Sequence, residues 1–552
     1  MLQIQKKLSN SFLALLSLPA TAVGFALSTQ IAALSWLLST KFGLDIHDVA
    51  LVWLAGPLAG IIGQPIVGAI SDNAWFLGGR RKGFIIIGGI LGAMMFLALP
   101  QIGVISSKLG FQGIMTVAVT VALLLDLSIN ITFNPARSII ADLTPEGKKR
   151  TSGYTWMQLI SGIFGLLAYF ISLVLGNDIL LTIAVVLVFL FSVVPCFFIE
   201  EDKNLVENKI QTKKTSLKFF LIQFGIILLI FILGTTFKDL PIGKYIMYLL
   251  IPVAIYNLYF TVKDPIFKEI VKVIYPLFGF LFFGIYLIID KLILNGKWES
   301  QQINMMYLGI VITIILGVFV VLKGMKQKSN QNEFHKIMIA HSFSWLGIQS
   351  MFVMSFFYAK EIILPNLTID DAIANSFKKF FTGISSNADD TAGNILSLAF
   401  LLFNAIGAFF PILVLEPMSK KFGRVKTYFS SILIMALGYF FVYKFGSSEL
   451  SFYTGICIAG IGWSAVISIV FAIMTERVNK DKMGLYMGLF NYSVVLPQMM
   501  TVGVASIVKE SGDNTLLYLI CGISLFISFV FWLFVREPES TSHSEVPVSG
   551  GH

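Results

Sequence analysis

Apolar runs of about 20 residues recur along the chain, separated by short polar or charged loops. They fall at roughly 12–38, 49–70, 84–102, 112–141, 153–175 and 178–198, then at 219–236, 245–262, 271–290 and 304–322. The last group lies at roughly 337–359, 392–415, 427–444, 452–474, 484–507 and 515–535. Each run is long enough to cross a ~30 Å hydrocarbon core as a helix. The ten-residue alternation of a membrane barrel is absent. The pattern predicts an all-α polytopic membrane protein with 16 spans, grouped six, four and six. Two charged linkers, "EEDKNLVENKIQTKKTSLK" and "KGMKQKSNQNEFHK", separate the groups. The predicted units are an N-terminal six-helix bundle (1–212), an inserted block of about four helices (213–334), a C-terminal six-helix bundle (335–536) and a cytoplasmic tail (537–552).

Composition strengthens this reading. The chain is 56% hydrophobic and 13% charged, which leaves too little polar surface for a soluble fold of 552 residues. The net charge of +9 does not point to nucleic acid. Lys and Arg collect in the cytoplasmic loops of membrane proteins. With the N-terminus inside, the cytoplasmic segments hold 28 of them and the opposite loops 11, and Arg137 lies within a span. Both termini are therefore expected in the cytoplasm. The first apolar run continues to about Leu38 without a convincing cleavage site, so an uncleaved first helix is expected. Cys196, Cys457 and Cys521 all lie in apolar runs and read as buried small side chains. No catalytic triad spacing, phosphate loop or metal-binding cluster is present, so neither an enzyme nor a cofactor is expected.

The two groups of six share a loop after their second span. One reads "GQPIVGAISDNAWFLGGRRKG" and the other "FFPILVLEPMSKKFGRVK". Both place Pro-Ile near a span end and Gly-Arg in a short basic loop. This suggests an internal duplication, a common plan among secondary transporters. The middle block is rich in Phe, Ile and Leu, and its default reading is a peripheral scaffold or contact surface. The loop 360–391 reads either as an amphipathic lid or as an ordinary solvated loop.

The most informative stretch is "LLLDLSINITFNPARSIIADL" (123–143). At ~100° per residue, Asp126 at zero puts Asn130 near 40°, Asn134 near 80° and Arg137 near 20°. These four polar side chains share one wedge of a helix. Asp126 and Arg137 stand ~16 Å apart along the axis, too far for a direct pair on a straight helix. An intramembrane charge costs ~2.5–3.5 kcal/mol on insertion scales, so each needs water, a ligand or a neighbouring helix. Pathway residues and purely structural pairing both meet that need. Pro135 lies between them and predicts a kink beside a cavity.

Three further groups stand out. Asp72, Arg80 and Arg81 form either an ion-pair latch between helices or a solvated loop. His341, Trp345 and Gln349 recur at i, i+4, i+8 and make one stripe, suited to stacking on sugars or to a structural helix seam. Asn491 and Gln498, with Pro497, sit in a predicted Pro-broken helix.

The segments "LAGPLAGIIGQPIVGAISD", "GGRRKGF", "DLSINITFNPARSIIADL" and "KMGLYMGLFNYSVVLPQMM" resemble the plant sucrose–proton symporters and their bacterial and animal relatives, a branch of the major facilitator superfamily. The resemblance covers roughly 12–200 and 335–536, and its most specific part is Asp-x3-Asn-x6-Arg followed by Ala-Asp-Leu. It implies the major facilitator fold, with Asp126 as the proton-binding carboxylate and Arg137 as a residue of substrate coupling. It also implies that Asp72, Arg80 and Arg81 belong to the superfamily's loop motif. Three departures stand: Val470-Phe471-Ala472 where relatives often carry Pro-Tyr-Ala, Lys82 where a third Arg is frequent, and the four-span insertion. The expected activity is proton-coupled sugar symport by a monomer in a cell membrane, the inner membrane if the source is bacterial. The partners are then sugar, proton and bilayer. The rival readings are a proton-coupled exporter of drugs or metabolites, a non-transporting nutrient sensor and, remotely, a membrane glycosyltransferase.

Overall fold

The computed structural model describes residues 5–201, 265–478 and 483–537, apart from residues 6, 62–66, 68–70, 72–74, 110–112, 146–147 and 295. Twelve helices in it are long and apolar enough to cross a membrane, and two shorter apolar ones, Ile46–Ile61 and Leu516–Trp532, join them. These account for 14 of the 16 predicted spans. The runs at 219–236 and 245–262 lie outside the described residues. The protein is a multi-pass membrane protein.

The first block comprises α1 (Asn10–Phe42), α2 (Ile46–Trp53), α3 (Lys82–Ala98), α4 (Ile114–Leu143), α5 (Lys148–Leu175) and α6 (Asn177–Phe198). The described part of the insertion holds α7 (Pro265–Ile274), α8 (Phe278–Ile288) and α9 (Gln302–Lys326). The second block holds α10 (Asn330–Tyr358), a short α11 (Ile373–Thr382), α12 (Ala388–Phe410), α13 (Arg424–Phe445), α14 (Glu449–Thr475), α15 (Met483–Gln498), α16 (Thr501–Ser511) and α17 (Leu516–Trp532). Local chemistry sets several starts. Ser9, Asp45, Ser329, Asn387 and Ser448 each accept an N–H of the first turn that follows. Gly43 ends α1 in the left-handed region, at φ 68°.

Packing repeats between the blocks. In the first, α1 packs on α5 and α6, and α3 on α4 and α6. In the second, α10 packs on α15 and α17, and α13 on α14 and α17, which are the equivalent pairs. Small residues permit the close crossings, as expected where lipid supplies no hydrophobic drive between helices. A Cβ at Gly89 would overlap Ser192, and one at Gly438 would come 2.7 Å from the Ala459 nitrogen.

The two blocks meet towards the face opposite the start of α1, here the far face. Ser35 Oγ donates to the Val353 carbonyl at 2.9 Å, and the Ser172 and Ser397 hydroxyls lie 2.5 Å apart. Lys509 Nζ pairs with Asp45 at 2.6 Å. The loop 360–391 contains α11, whose Phe381 ring rests edge-on against Phe170, 5.5 Å between centroids. The N–H groups of Ile373 and Ala374 donate to the Glu449 carboxylate. The loop is therefore a docked amphipathic element joined to both blocks.

Candidate functional site

The polar stripe on α4 is present, and its members have different surroundings. Asp126 is buried, and both its carboxylate oxygens accept from the single Gln30 Nε2 on α1, each at 3.2 Å. Gly56, beyond α2, leaves bare backbone beside it, and a Cβ there would touch Oδ2 at 3.5 Å. Asn130 is buried and returns its amide to the Asp126 carbonyl at 2.8 Å. Asn134 is half-buried. Arg137 is exposed, with its guanidinium 4.0 Å over the Phe133 ring. Among the described residues neither Asp126 nor Arg137 takes part in an ion pair. Helix α4 runs unbroken through Pro135.

Gln30 was not singled out in the sequence. It is an amide deep inside the first apolar run, and the rule that intramembrane polar groups need partners could have found it.

The second-block stripe is held by ring contacts. Trp345 Nε1 donates to His341 Nε2 at 2.9 Å, which assigns the neutral ring's proton to Nδ1, facing the Tyr428 hydroxyl at 3.3 Å. His341 also stacks on Phe490. Both of its nitrogens thus have a partner within hydrogen-bond distance, and one of them fixes the Trp345 indole. Trp345, half-buried, meets Trp463 edge-on at 6.1 Å. Trp463 stacks on Phe403 and donates to Asn404 Oδ1 at 3.2 Å. A Cβ at Gly407 would lie 2.7 Å from Trp463 Cδ1, so glycine keeps that indole in place. Gln498 Nε2 donates to Gln349 Oε1 at 3.0 Å. The predicted break follows Pro497: α15 ends at Gln498 and α16 begins at Thr501. Asn491 is half-buried. Trp463 and Asn404 were missed because they come from separate helices and share no sequence spacing with the stripe.

At the face where α1 begins, Arg80 and Arg81 both bind Asp142, at 2.6 and 3.1 Å. Asp72 lies outside the described residues. Asp142 ends α4 in the quoted Ala-Asp-Leu. The carboxylate of Glu201, just past α6, accepts the backbone N–H groups of Arg80, Arg81 and Lys82 at 2.9–3.1 Å. Lys82 Nζ donates to the Ile199 carbonyl. The second block repeats the plan. Arg424 pairs with Glu476 at 2.6 Å, and the N–H groups of Arg424 and Val425 donate to Glu537. Each helix after the basic loop thus starts on a distant carboxylate and ties to the end of the next span. Arg80 and Arg81 are thus ion-paired with Asp142 rather than left to solvent.

Known proteins resemble these parts. A sucrose transport protein of Arabidopsis thaliana (SUC3) is 30% identical over 155 residues, 25% of this chain and 26% of that one. The general alpha-glucoside permease of Schizosaccharomyces pombe is 27% identical over 169 residues, 29% and 30% of the two chains. The chain spans about a quarter to a third of the length of these curated relatives. Two solved structures align over nearly the whole chain. The peptide transporter POT in complex with sulfate has TM-score 0.55 and 16% identity, covering 95% of this chain and 94% of its own. The nucleoside transporter NupG has TM-score 0.54 and 10% identity, covering 95% and 99%. At such identities they establish the fold alone. The family profile described as Major Facilitator Superfamily matches residues 16–389 and 351–549. With its two six-helix blocks packed alike, the chain belongs to the Major Facilitator Superfamily.

Proposed function

We propose that the protein is a secondary transporter, not an enzyme, and that it carries a sugar of the disaccharide or glycoside class together with a proton. It lies in a cell membrane with both termini in the cytoplasm, so the far face is external. The observation that carries the proposal is the buried Asp126, whose hydrogen-bond partner Gln30 is an uncharged amide. An ionised carboxylate enclosed without a cation is costly at membrane depth, and taking up a proton removes that cost. Proton occupancy and enclosure of Asp126 are thereby linked, as coupling requires. The Trp345–Trp463 pair with the Gln349, Gln498 and Asn404 amides supplies what a sugar needs, apolar faces to stack on and groups to bind hydroxyls. The named activities of the sucrose and alpha-glucoside relatives support the same substrate class. Alternating access fits a conformation joined at the far face while Arg137, towards the other side, is exposed.

The test is counterflow and accumulation of labelled mono- and disaccharides in liposomes. Asp126→Asn is expected to abolish proton-driven accumulation, because an amide cannot cycle a proton, while gradient-free exchange persists. Accumulation at the wild-type level in that variant would remove Asp126 from coupling. Liposomes that bind sugar but never move it would favour a sensor instead.

A further inference from the structure

The insertion reads from its sequence as a peripheral block, yet its described part is wedged against the second block at several levels. A Cβ at Gly309 would come 2.9 Å from Met500 Cε, and one at Gly284 would come 2.6 Å from Met499 Sδ. These methionines form the break between α15 and α16. A Cβ at Gly503 of α16 would come 2.5 Å from Met306 Sδ of α9. At the other end of α9, a Cβ at Gly324 would come 2.6 Å from Lys336 Cε of α10. Helices α8 and α9 therefore form one body with α10, α15 and α16.

The same body reaches the first block at the far face. Gln302, at the start of α9, is 1% exposed. Its Nε2 donates to the Val502 carbonyl at 3.1 Å and to Ser506 Oγ at 2.7 Å, both on α16. It also stands 3.5 Å from His47 Nε2 on α2. Glu299 lies 3.6 Å from that same His47 nitrogen and 3.3 Å from Lys291. Beside them Lys509 of α16 pairs with Asp45, the cap of α2. One buried amide thus connects the insertion, the second block and the first block. It does so where the two blocks must part for the far face to open.

We propose that the described inserted helices α8 and α9 travel with the second block and close on the first block at His47, so that Gln302 and Glu299 are positioning residues of the external gate. The proposal rests on the alternating-access reading above, but its primary test needs no sugar. Ser172 is 1% exposed at the inter-block seam. In a background with Cys196, Cys457 and Cys521 replaced, Ser172→Cys reports opening of the far face by its rate of labelling with a membrane-impermeant maleimide. Adding Gln302→Leu, of similar size but unable to hydrogen bond, is expected to raise that rate at least about threefold, as loss of a hydrogen bond across a two-state gate should. An unchanged rate overturns the proposal.

A second measurement covers the case of a poorly folded Gln302 variant. His47→Cys with Glu299→Cys is joined by a short reducible bismaleimide, and uptake is compared with that of the same protein before linking and after reduction. The link is expected to form, to cut uptake at least about tenfold by holding the gate shut, and to be reversed by reduction. Failure to link, or full linking with uptake intact, overturns the proposal. Failure of wild-type liposomes to move any sugar overturns the transporter reading alone, because the labelling result stands without it.

Discussion

Two side chains carry opposite kinds of prediction. Gln30 donates to both oxygens of Asp126, so a change of protonation at the carboxylate is felt directly by the amide. Gln30→Leu is expected to reduce sugar uptake about tenfold, the scale of a lost hydrogen bond to a charged group, and by different factors at pH 5.5 and pH 7.5. Equal losses at the two pH values would make Gln30 a packing residue only. Arg137 holds its planar guanidinium over Phe133. Lysine keeps the charge but loses the stacking and the fork of donors. Arg137→Lys is expected to weaken apparent sugar affinity at least about tenfold, or ~1.4 kcal/mol. Uptake curves against concentration that match the wild type at both pH values would leave Arg137 a structural role. The α4 stripe was legible because polar residues at fixed angular spacing in an apolar run are visible in one dimension. Gln30 was visible as an intramembrane amide but its partner was not, and Trp463 and Asn404 were not legible at all, because these contacts come from helices that meet only in the fold.

At the scale of elements, hydropathy placed the spans well, since run length against bilayer thickness is a local property. It did not reveal how helices start. The N-terminus of α3 has no side-chain cap in its own sequence, and its free N–H groups are met by Glu201, 119–121 residues away. Nothing near Gly79 signals that partner, although a Cβ at Gly79 would overlap the Glu201 carboxylate. The repeat at Gly423 and Glu537 shows that the device belongs to the duplicated plan. The same comparison explains why the basic loops matched only partly in sequence: what is preserved is the Arg, the glycine before the helix and two distant carboxylates. Glu201→Ala is expected to destabilise the folded protein by ~1–2 kcal/mol, the upper part of the range for a lost helix cap, because three N–H groups lose their acceptor. Glu201→Gln, which retains one acceptor oxygen, should lose less. Thermal unfolding in detergent checks the order wild type, Gln, Ala; an Ala variant as stable as the wild type would show that water replaces the carboxylate at no cost.

At the scale of the whole molecule, the pH response must be assigned either to the gate or to the interior. Asp45 pairs with Lys509 across the blocks, both side chains about half exposed. Partial burial works against the ionised Asp45, but Lys509 and the N–H groups of Asp48 and His47 prevail and hold its pKa below the ordinary 3.8. A carboxylate lowered in this way contributes stability above its unfolded value and loses it only as the pH falls through the lower folded value. The Asp45–Lys509 lock is therefore complete at pH 7.5 and still complete at pH 5.5. Acid stimulation of uptake over that interval cannot arise from releasing it. Two groups remain positioned to respond, His47 of the gate and the buried Asp126, which has no cation beside it among the described residues. Asp45→Asn should therefore change uptake by at most about fivefold, since a half-exposed pair contributes ~0.2–1 kcal/mol, and by the same factor at both pH values, so the ratio of uptake at pH 5.5 to uptake at pH 7.5 is preserved. Asp126→Asn should bring that ratio to unity. Initial uptake rates at the two pH values, at fixed membrane potential, decide the matter. A flattened ratio in the Asp45 variant would move the proton-sensitive step to the external gate.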